Sequence, residues 1–341
     1  MIELTAGKDD AGRRLDRIIR KALPDLSLSL IHRLFRQEKV SVNGQPASLN
    51  TRIEQGMVIT IIADVNSSKN TVNKGLGPVI VNHEKLQVNN KTVNLKNQMV
   101  NKAEFCGGLP QILWQGLGVI VFNKPQGLAA HGPNSMDGIV KARLAAALPR
   151  SLSFKPGPLH RLDKPTSGII IFSQTLEGAR LFSGLLRERK LEKTYIAIVE
   201  GRVEKAELWR DFLARDDNAR KTLVETAGAH SPKAKEALTE VKPLASNNRY
   251  SLVEARIKTG RHHQIRAQAA SHGHPLAGDS KYGAKPFPGS SRAGGFFLHA
   301  WKITCGGPDI PDGFPRAITA PLPQPFLAHI EALFGAVTKT V

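Results

Sequence analysis

Cysteine is nearly absent from this chain. Its 341 residues include two, Cys106 and Cys305, too few for a disulfide framework or a four-cysteine zinc ribbon. Long apolar runs are missing too, since none approaches the roughly 20 residues that a bilayer-spanning helix needs. The opening residues, Met1 to Thr5, bring an acid early and no apolar core, so a secretory signal peptide is not expected. These absences lead to the expectation of a soluble, cytoplasmic protein with no membrane association. Two catalytic signatures are also lacking: His-Glu-x-x-His of metallohydrolases and Gly-x-x-x-x-Gly-Lys of nucleotide-binding loops. His262, His263, His272, His274 and Asp279 do cluster in sequence. Adjacent histidines on a regular helix point apart, however, and Gly273 interrupts the second pair, so no metal is expected. Acid is the last scarce commodity, with 29 Asp and Glu against 48 Lys and Arg and a net charge of +19. Such an excess favours a polyanionic partner, because each cation beside a phosphate releases a condensed counterion. Charge alone does not separate DNA from RNA.

The chain changes character twice. Over residues 13–22 the apolar side chains Leu15, Ile18, Ile19 and Ala22 recur at helical spacing, with Arg13, Arg14, Arg17, Arg20 and Lys21 on the other face. Pro24 ends this helix, and Ser27 or Ser29 can cap a second one. That helix turns Leu30, Ile31, Leu34 and Phe35 inward and Arg33, Arg36 and Lys39 outward. Val40-Ser41-Val42 then alternates into Asn43-Gly44, a hairpin turn, with a returning strand over 57–61. Residues 1–63 therefore read as a small αα-plus-hairpin domain. Residues 64–110 are dense in asparagine, as at Asn89-Asn90, Asn94 and Asn97, and read as a linker or insertion with a weak hairpin or two. Residues 111–341 are rich in strands and turns. Strands are expected at 119–122, 169–172, 195–199 and 250–258, and helices at 139–148, 178–189 and 263–271. They do not alternate as βα units, which predicts an α+β domain with a mixed, largely antiparallel sheet.

One carboxylate stands out. In His160-Arg161-Leu162-Asp163-Lys164-Pro165-Thr166-Ser167-Gly168, Asp163 lies between two cations, just before turn residues and the apolar run Ile169 to Phe172. This places a single acid at the edge of a buried strand. Taken alone, such an aspartate more often caps a turn or pairs with a surface lysine.

Residues 13–62, with Arg14-Leu15-Asp16 and Lys39-Val40-Ser41-Val42-Asn43-Gly44, resemble the S4 RNA-binding domain. The resemblance implies RNA contact through Arg14, Arg17, Arg33, Arg36 and Lys39; solvated helix faces are the commoner fate of such charges. Further on, four segments resemble the RluA-type RNA pseudouridine synthases, in that family's order. They are Val121 to His131, His160 to Gly168, Lys193 to Gly201, and Thr259 to Arg266, the last continuing through Gly273 to Asp279 and Tyr282-Gly283. Leu298-His299-Ala300 also fits.

The resemblance implies isomerisation of uridine to pseudouridine without cofactor or metal, by a chain that acts as a monomer on structured RNA. Large-subunit ribosomal RNA is the expected substrate and transfer RNA the alternative. A catalytically silent RNA-binding or ribosome-assembly factor on the same fold is the rival from another class. Breaking a glycosidic bond builds positive charge on the sugar, which a carboxylate can stabilise or trap, and Asp163 takes that role by resemblance. Arg266 is implied as its ion-pair partner, its planar fork able to hold both carboxylate oxygens; a phosphate contact is the other reading. Tyr195 is implied as a stacking partner for a flipped uracil, and otherwise is a core tyrosine. Leu298 is implied as an apolar pocket wall, Lys193 as a further substrate-binding residue of the Lys-Thr-Tyr motif, and Arg161 as filling the gap left by the flipped nucleotide or holding a phosphate. His160 is as well suited to orienting its loop as to chemistry. The chain departs from the family pattern at His262, where a small hydroxyl residue is usual, at Gln268, where histidine is common, and at 115–118, where an acidic run often stands.

Overall fold

The computed structural model describes residues 1–63, 110–144, 151–225, 231–287 and 295–335. The asparagine-rich stretch, apart from Pro110, lies outside these, as does the end of the helix expected over 139–148.

The described chain forms two compact units. The first contains β1 (Ile2–Thr5), α1 (Leu15–Ala22), α2 (Leu28–Arg36), β2 (Val40–Val42), β3 (Gln45–Pro46) and β4 (Val58–Ile61). Its sheet runs β1-β4-β2-β3 with antiparallel neighbours. Leu15, Ile18, Ile19, Ile31 and Leu34 from the helices meet Val40, Ile59 and Ile61 from the strands in one core. Ser27 is the residue that caps α2, its hydroxyl accepting the N–H of Leu30 at 3.2 Å. Asn43 and Gly44 both hold positive φ, 49° and 79°, the geometry that lets a two-residue turn follow strand twist. β1 was not anticipated. It spans four residues and pairs with β4, a partner far along the chain, so nothing local announces it.

This unit also reclaims a later piece of chain. The fully buried carboxylate of Asp10 accepts the backbone N–H groups of Leu152 (2.8 Å) and Ser153 (3.0 Å) and the hydroxyl of Ser151 (2.8 Å). Burial alone would raise its pKa, but bonds from the Ser153 hydroxyl, the N–H groups of Leu152 and Gly7 and the Ser151 hydroxyl outweigh burial and hold it below the usual carboxylate value. Leu152 packs on the same core. A division at 63 and 111 does not provide for this return, which brings 151–156 into the first unit.

The second unit is built on an eleven-stranded sheet. Its strands are β5 (Ile112–Gly116), β6 (Val119–Lys124), β7 (Gly157–Pro158), β8 (Ser167–Ser173), β9 (Leu191–Glu200), β10 (Glu207–Asp216), β11 (Lys221–Glu225), β12 (Lys235–Ser246), β13 (Tyr250–Ile257), β14 (Leu298–Cys305) and β15 (Ala317–Thr319). The main path runs β11-β10-β12-β13-β9-β14-β8-β6-β5, with β15 on β14 and β7 on β8. Among the described residues only the β8–β14 pairing is parallel, which bears out the mixed, largely antiparallel sheet. The helices are α3 (Met136–Leu144), α4 (Leu176–Arg187), α5 (Gln264–Ser271) and α6 (Gln324–Phe334). Central strands read as unbroken apolar runs because both faces are covered. In β9, Tyr195, Ala197 and Val199 face the main core, while Ile196 and Ile198 meet Phe297, Phe326 and Ile330 on the other side. The three strands between 207 and 246 were not anticipated, since charges such as Arg210, Arg215 and Lys242 break up their apolar pattern.

Gly168 closes the motif around Asp163 at the point where β8 meets β14. Its φ is +102°, and a Cβ there would lie 2.3 Å from the carbonyl oxygen of Ala300. Gly127 also has positive φ, +83°, but nothing stands within 4 Å of its Cβ direction. Gly168→Ala should therefore cost about 3 kcal/mol, strain and overpacking together, against about 1 kcal/mol for Gly127→Ala. Urea unfolding midpoints measure both. Equal losses would show that the close β8–β14 approach is not the constraint at Gly168.

Candidate active site

Asp163 sits on the turn that leads into β8, where its own carbonyl accepts the N–H of Thr166 at 3.0 Å. Leu162 beside it is buried in the main core, so the backbone is anchored while the carboxylate keeps 26% of its side-chain exposure. A half-buried histidine and a buried lysine fix this turn. His160 accepts the N–H of Ile171 through Nε2 at 3.1 Å and stacks on Phe182. Burial, with Lys193 adding, pushes its pKa well below the usual value, so the ring is neutral. His160 thus orients the loop. Lys124, fully buried at the end of β6, donates Nζ to the carbonyls of Pro125 (3.0 Å), Leu128 (2.7 Å) and Lys164 (3.2 Å). It ties the 125–128 loop to the residue after Asp163. Burial pulls its pKa down to about 7, opposed by the charge of Asp163.

Arg266 comes from the first turn of α5. His263, just before that helix, takes a left-handed φ of 48°. Arg266 is 6% exposed, and its guanidinium lies over the rings of Phe296 and Tyr282, 4.4 and 4.9 Å from their centroids. Its fork closes on Asp279, with Nε to Oδ2 at 2.7 Å and Nη2 to Oδ1 at 2.8 Å. The remaining arm, Nη1, donates to Oδ2 of Asp163 at 2.9 Å. The Asp163–Arg266 pair is present, but the planar fork holds Asp279 and reaches Asp163 through one nitrogen only. Burial works against the charge on Arg266, and the bonds from Asp279, with Asp163 adding, hold its pKa above the usual value. Nε2 of His263 approaches the same Oδ2 at 3.6 Å. Among the described residues both contacts fall on Oδ2 and none on Oδ1. The carboxylate is therefore gripped on one side and left open on the other.

The other residues singled out from the sequence divide by location. Arg161 lines the open cleft around Asp163, with His131, Lys164, His262, His263 and Lys281. Tyr195 and Leu298 are buried in the main core, on neighbouring strands where Tyr195 pairs with Ala300 and Ala197 with Leu298. Burial, and next the charge of Asp163, raise the pKa of the Tyr195 phenol, so it stays protonated. Lys193 lies two residues before Tyr195 on β9, and burial lowers its pKa to about 8. Arg14, Arg17, Arg33, Arg36 and Lys39 belong to the first unit. Arg17, Arg33 and Arg36 are exposed and Lys39 is half-buried, while Arg14 forks onto Asp16 at 3.0 Å through both Nε and Nη2.

One expectation fails here. The rings of His262 and His263 do not point apart; they stack at 3.7 Å with an interplanar angle of 23°. Both precede the helix, and the left-handed φ of His263 turns its side chain back beneath its neighbour. Among the described residues no group of three or more His, Cys, Asp or Glu could hold a metal ion, and no helix is long and apolar enough to cross a membrane. Sequence reasoning missed the parts of Lys124, His263, Asp279 and Tyr282. All four lie inside quoted motifs, but only folding shows which side chains turn inward.

The chain matches the family model described as RNA pseudouridylate synthase over residues 118–271. It is 33% identical over 256 residues to a Bacillus subtilis protein named Uncharacterized RNA pseudouridine synthase YhcT, across 68% of this chain and 82% of the relative. It is 29% identical over 340 residues to Ribosomal large subunit pseudouridine synthase D of Nitrosomonas europaea, across 97% of this chain and 88% of that one. Among solved structures, Human RNA Pseudouridylate Synthase Domain Containing 4 has a TM-score of 0.52 at 24% identity, covering 64% of this chain and 91% of its own, a likeness of fold.

Since Asp279 takes two of the three arms of Arg266, Asp279→Ala leaves a buried guanidinium largely unpaired and should cost about 3–5 kcal/mol. Thermal unfolding measures it. A loss below about 1 kcal/mol would show that the aromatic rings and Asp163 suffice to hold Arg266.

Proposed function

The chain belongs to the RNA pseudouridine synthase family, and we propose that it isomerises uridines of large-subunit ribosomal RNA through the carboxylate of Asp163. The observation that carries this reading is the asymmetric grip on Asp163, with Oδ2 committed to Arg266 and Oδ1 uncommitted beside a cleft rimmed by cations. The reaction breaks the bond between N1 of uracil and C1′ of ribose, joins C5 to C1′, and moves a proton from C5 to N1. No electrons are gained or lost overall, so it balances without a redox cofactor.

Each neighbour has work to do in that sequence. Cleavage develops positive charge on the sugar, and an ionised carboxylate stabilises it. Arg266 faces the negative charge of Asp163 with a fixed donor, Nη1 to Oδ2 at 2.9 Å, and leaves Oδ1 turned to the substrate. Tyr195 and Leu298 form the apolar back of the site, where a uracil that has left its stack finds a new surface. The phenol of Tyr195 stays protonated, so it can hydrogen-bond without adding a second negative charge. Arg161 and Lys164 on the rim meet phosphates. The first unit adds affinity through Arg17, Arg33 and Arg36. The large-subunit substrate is supported by the names of relatives such as the Nitrosomonas europaea protein, which spans nearly the whole chain.

Tritium release from RNA labelled with 5-³H-uridine tests this directly. Ribosomal RNA from cells lacking the protein should release tritium with the wild-type enzyme, and Asp163→Ala should slow release at least about 10³-fold. Release that persists in Asp163→Ala would remove the carboxylate from the mechanism. Release from transfer RNA alone would move the substrate.

A further inference from the structure

We infer that the stacked His262–His263 pair is a platform for a nucleobase adjoining the target uridine, with His262 a specificity-determining residue. The inference rests on the reading of the cleft as a uridine-isomerising site and names what lies beside the reacting nucleotide.

Two hydrogen bonds tie His262 to Thr222, one through its backbone and one through its ring. Thr222 donates its single hydroxyl proton to the carbonyl of His262 at 2.9 Å. The contact between the same hydroxyl oxygen and Nδ1 of His262, also 2.9 Å, therefore requires Nδ1 to carry the hydrogen. The inner ring is fixed as well. Nδ1 of His263 lies 2.9 Å from the hydroxyl of Tyr282, which also accepts the N–H of Thr222. A proton on Nε2 rather than Nδ1 of His263 suits the carboxylate facing it at 3.6 Å.

The result is a pair of flat rings held edge-on by Thr222 and Tyr282 at the wall of the cleft. His262 is uncharged at neutral pH: burial lowers its pKa, and Arg215, Arg161 and Arg266 together oppose its protonation, while Asp163 favours it. One face of His262 is taken by His263, its one ring partner among the described residues. The ring is only half-buried, and it lines the cleft with Arg161 and Lys281. A rigid neutral aromatic surface surrounded by phosphate-binding cations is the composition of a base-stacking site on a nucleic-acid path, and stacking on such a ring is worth about 1–3 kcal/mol per base. A hydrogen-bonding role for the imidazole alone would not need the second ring beneath it.

The test separates a flat face from a ring nitrogen. With 5-³H-uridine ribosomal RNA, His262→Ala should raise KM about tenfold and lower kcat less than about twofold, whereas His262→Phe should stay within about threefold of wild type in both. Equal impairment of Ala and Phe, or no change in Ala, would overturn the inference. Binding supplies an independent reading. In an RNA fragment carrying the target, removing the base on one side of the uridine should weaken wild-type binding about tenfold and leave His262→Ala binding unchanged. The same loss in both proteins would overturn it. No tritium release by the wild-type enzyme would sink the reading of the site and this inference with it; release with His262→Ala unaffected sinks the inference alone.

Discussion

A single guanidinium organises this site. Arg266 is buried between two aromatic rings, and such a charge is tolerable only when its donors are satisfied. Asp279 satisfies two and Asp163 a third. The consequence runs outward. Because Asp279 and the rings fix the plane of Arg266, the remaining arm has one direction, and Asp163 is met by a preset donor. A cation committed to Asp163 alone would be free to follow it; one clamped elsewhere holds it still. Preorganisation of this kind is what an electrostatic site requires, since the dipoles and charges need not reorganise during the reaction.

The sheet makes that clamp possible by bringing distant segments to one place. β8 carries Asp163 to its edge and lies parallel to β14, which carries Leu298. β9 lies antiparallel to β14 and presents Tyr195 on the same face. The β8–β14 contact depends on Gly168, whose lack of a side chain allows the close approach to Ala300. Lys124 adds a second brace, tying the loop after β6 to the residue following Asp163. Sequence positions 124, 163, 195, 266 and 298 are thereby drawn together through backbone pairing and buried polar contacts, and the setting of Asp163 inherits the rigidity of the core.

Much of this was legible in the sequence, and the reasons for the gaps are physical. Central strands such as β6, β8 and β9 announce themselves because burial on both faces leaves continuous apolar runs. The helices of the first unit show their period because one face of each meets a core. β10 to β12 were hidden by charges on their exposed positions, and β1 by the distance of its partner. The pairing of Asp163 with Arg266 was legible only through the family resemblance. The clamp on Arg266 was not, because Asp279 stands 13 residues on in a turn and nothing in the spacing says which acid the fork will choose. The His262–His263 stack was misjudged for a related reason: helical geometry was applied to residues that lie just outside the helix, where a left-handed φ reverses the side chain. The capture of 151–156 by Asp10 was equally out of reach, since a carboxylate's backbone partners leave no mark on composition.

The central claim is that Asp279 acts on Asp163 only through Arg266. A double-mutant cycle on Asp279→Asn and Arg266→Lys, read as single-turnover tritium release, tests it most directly. If Arg266 is the sole link, Asp279→Asn slows the wild-type enzyme but has little further effect in the Arg266→Lys background, where the fork is already gone. Fully additive losses would contradict the account, because Asp279 would then reach the reaction by a route that does not pass through the guanidinium.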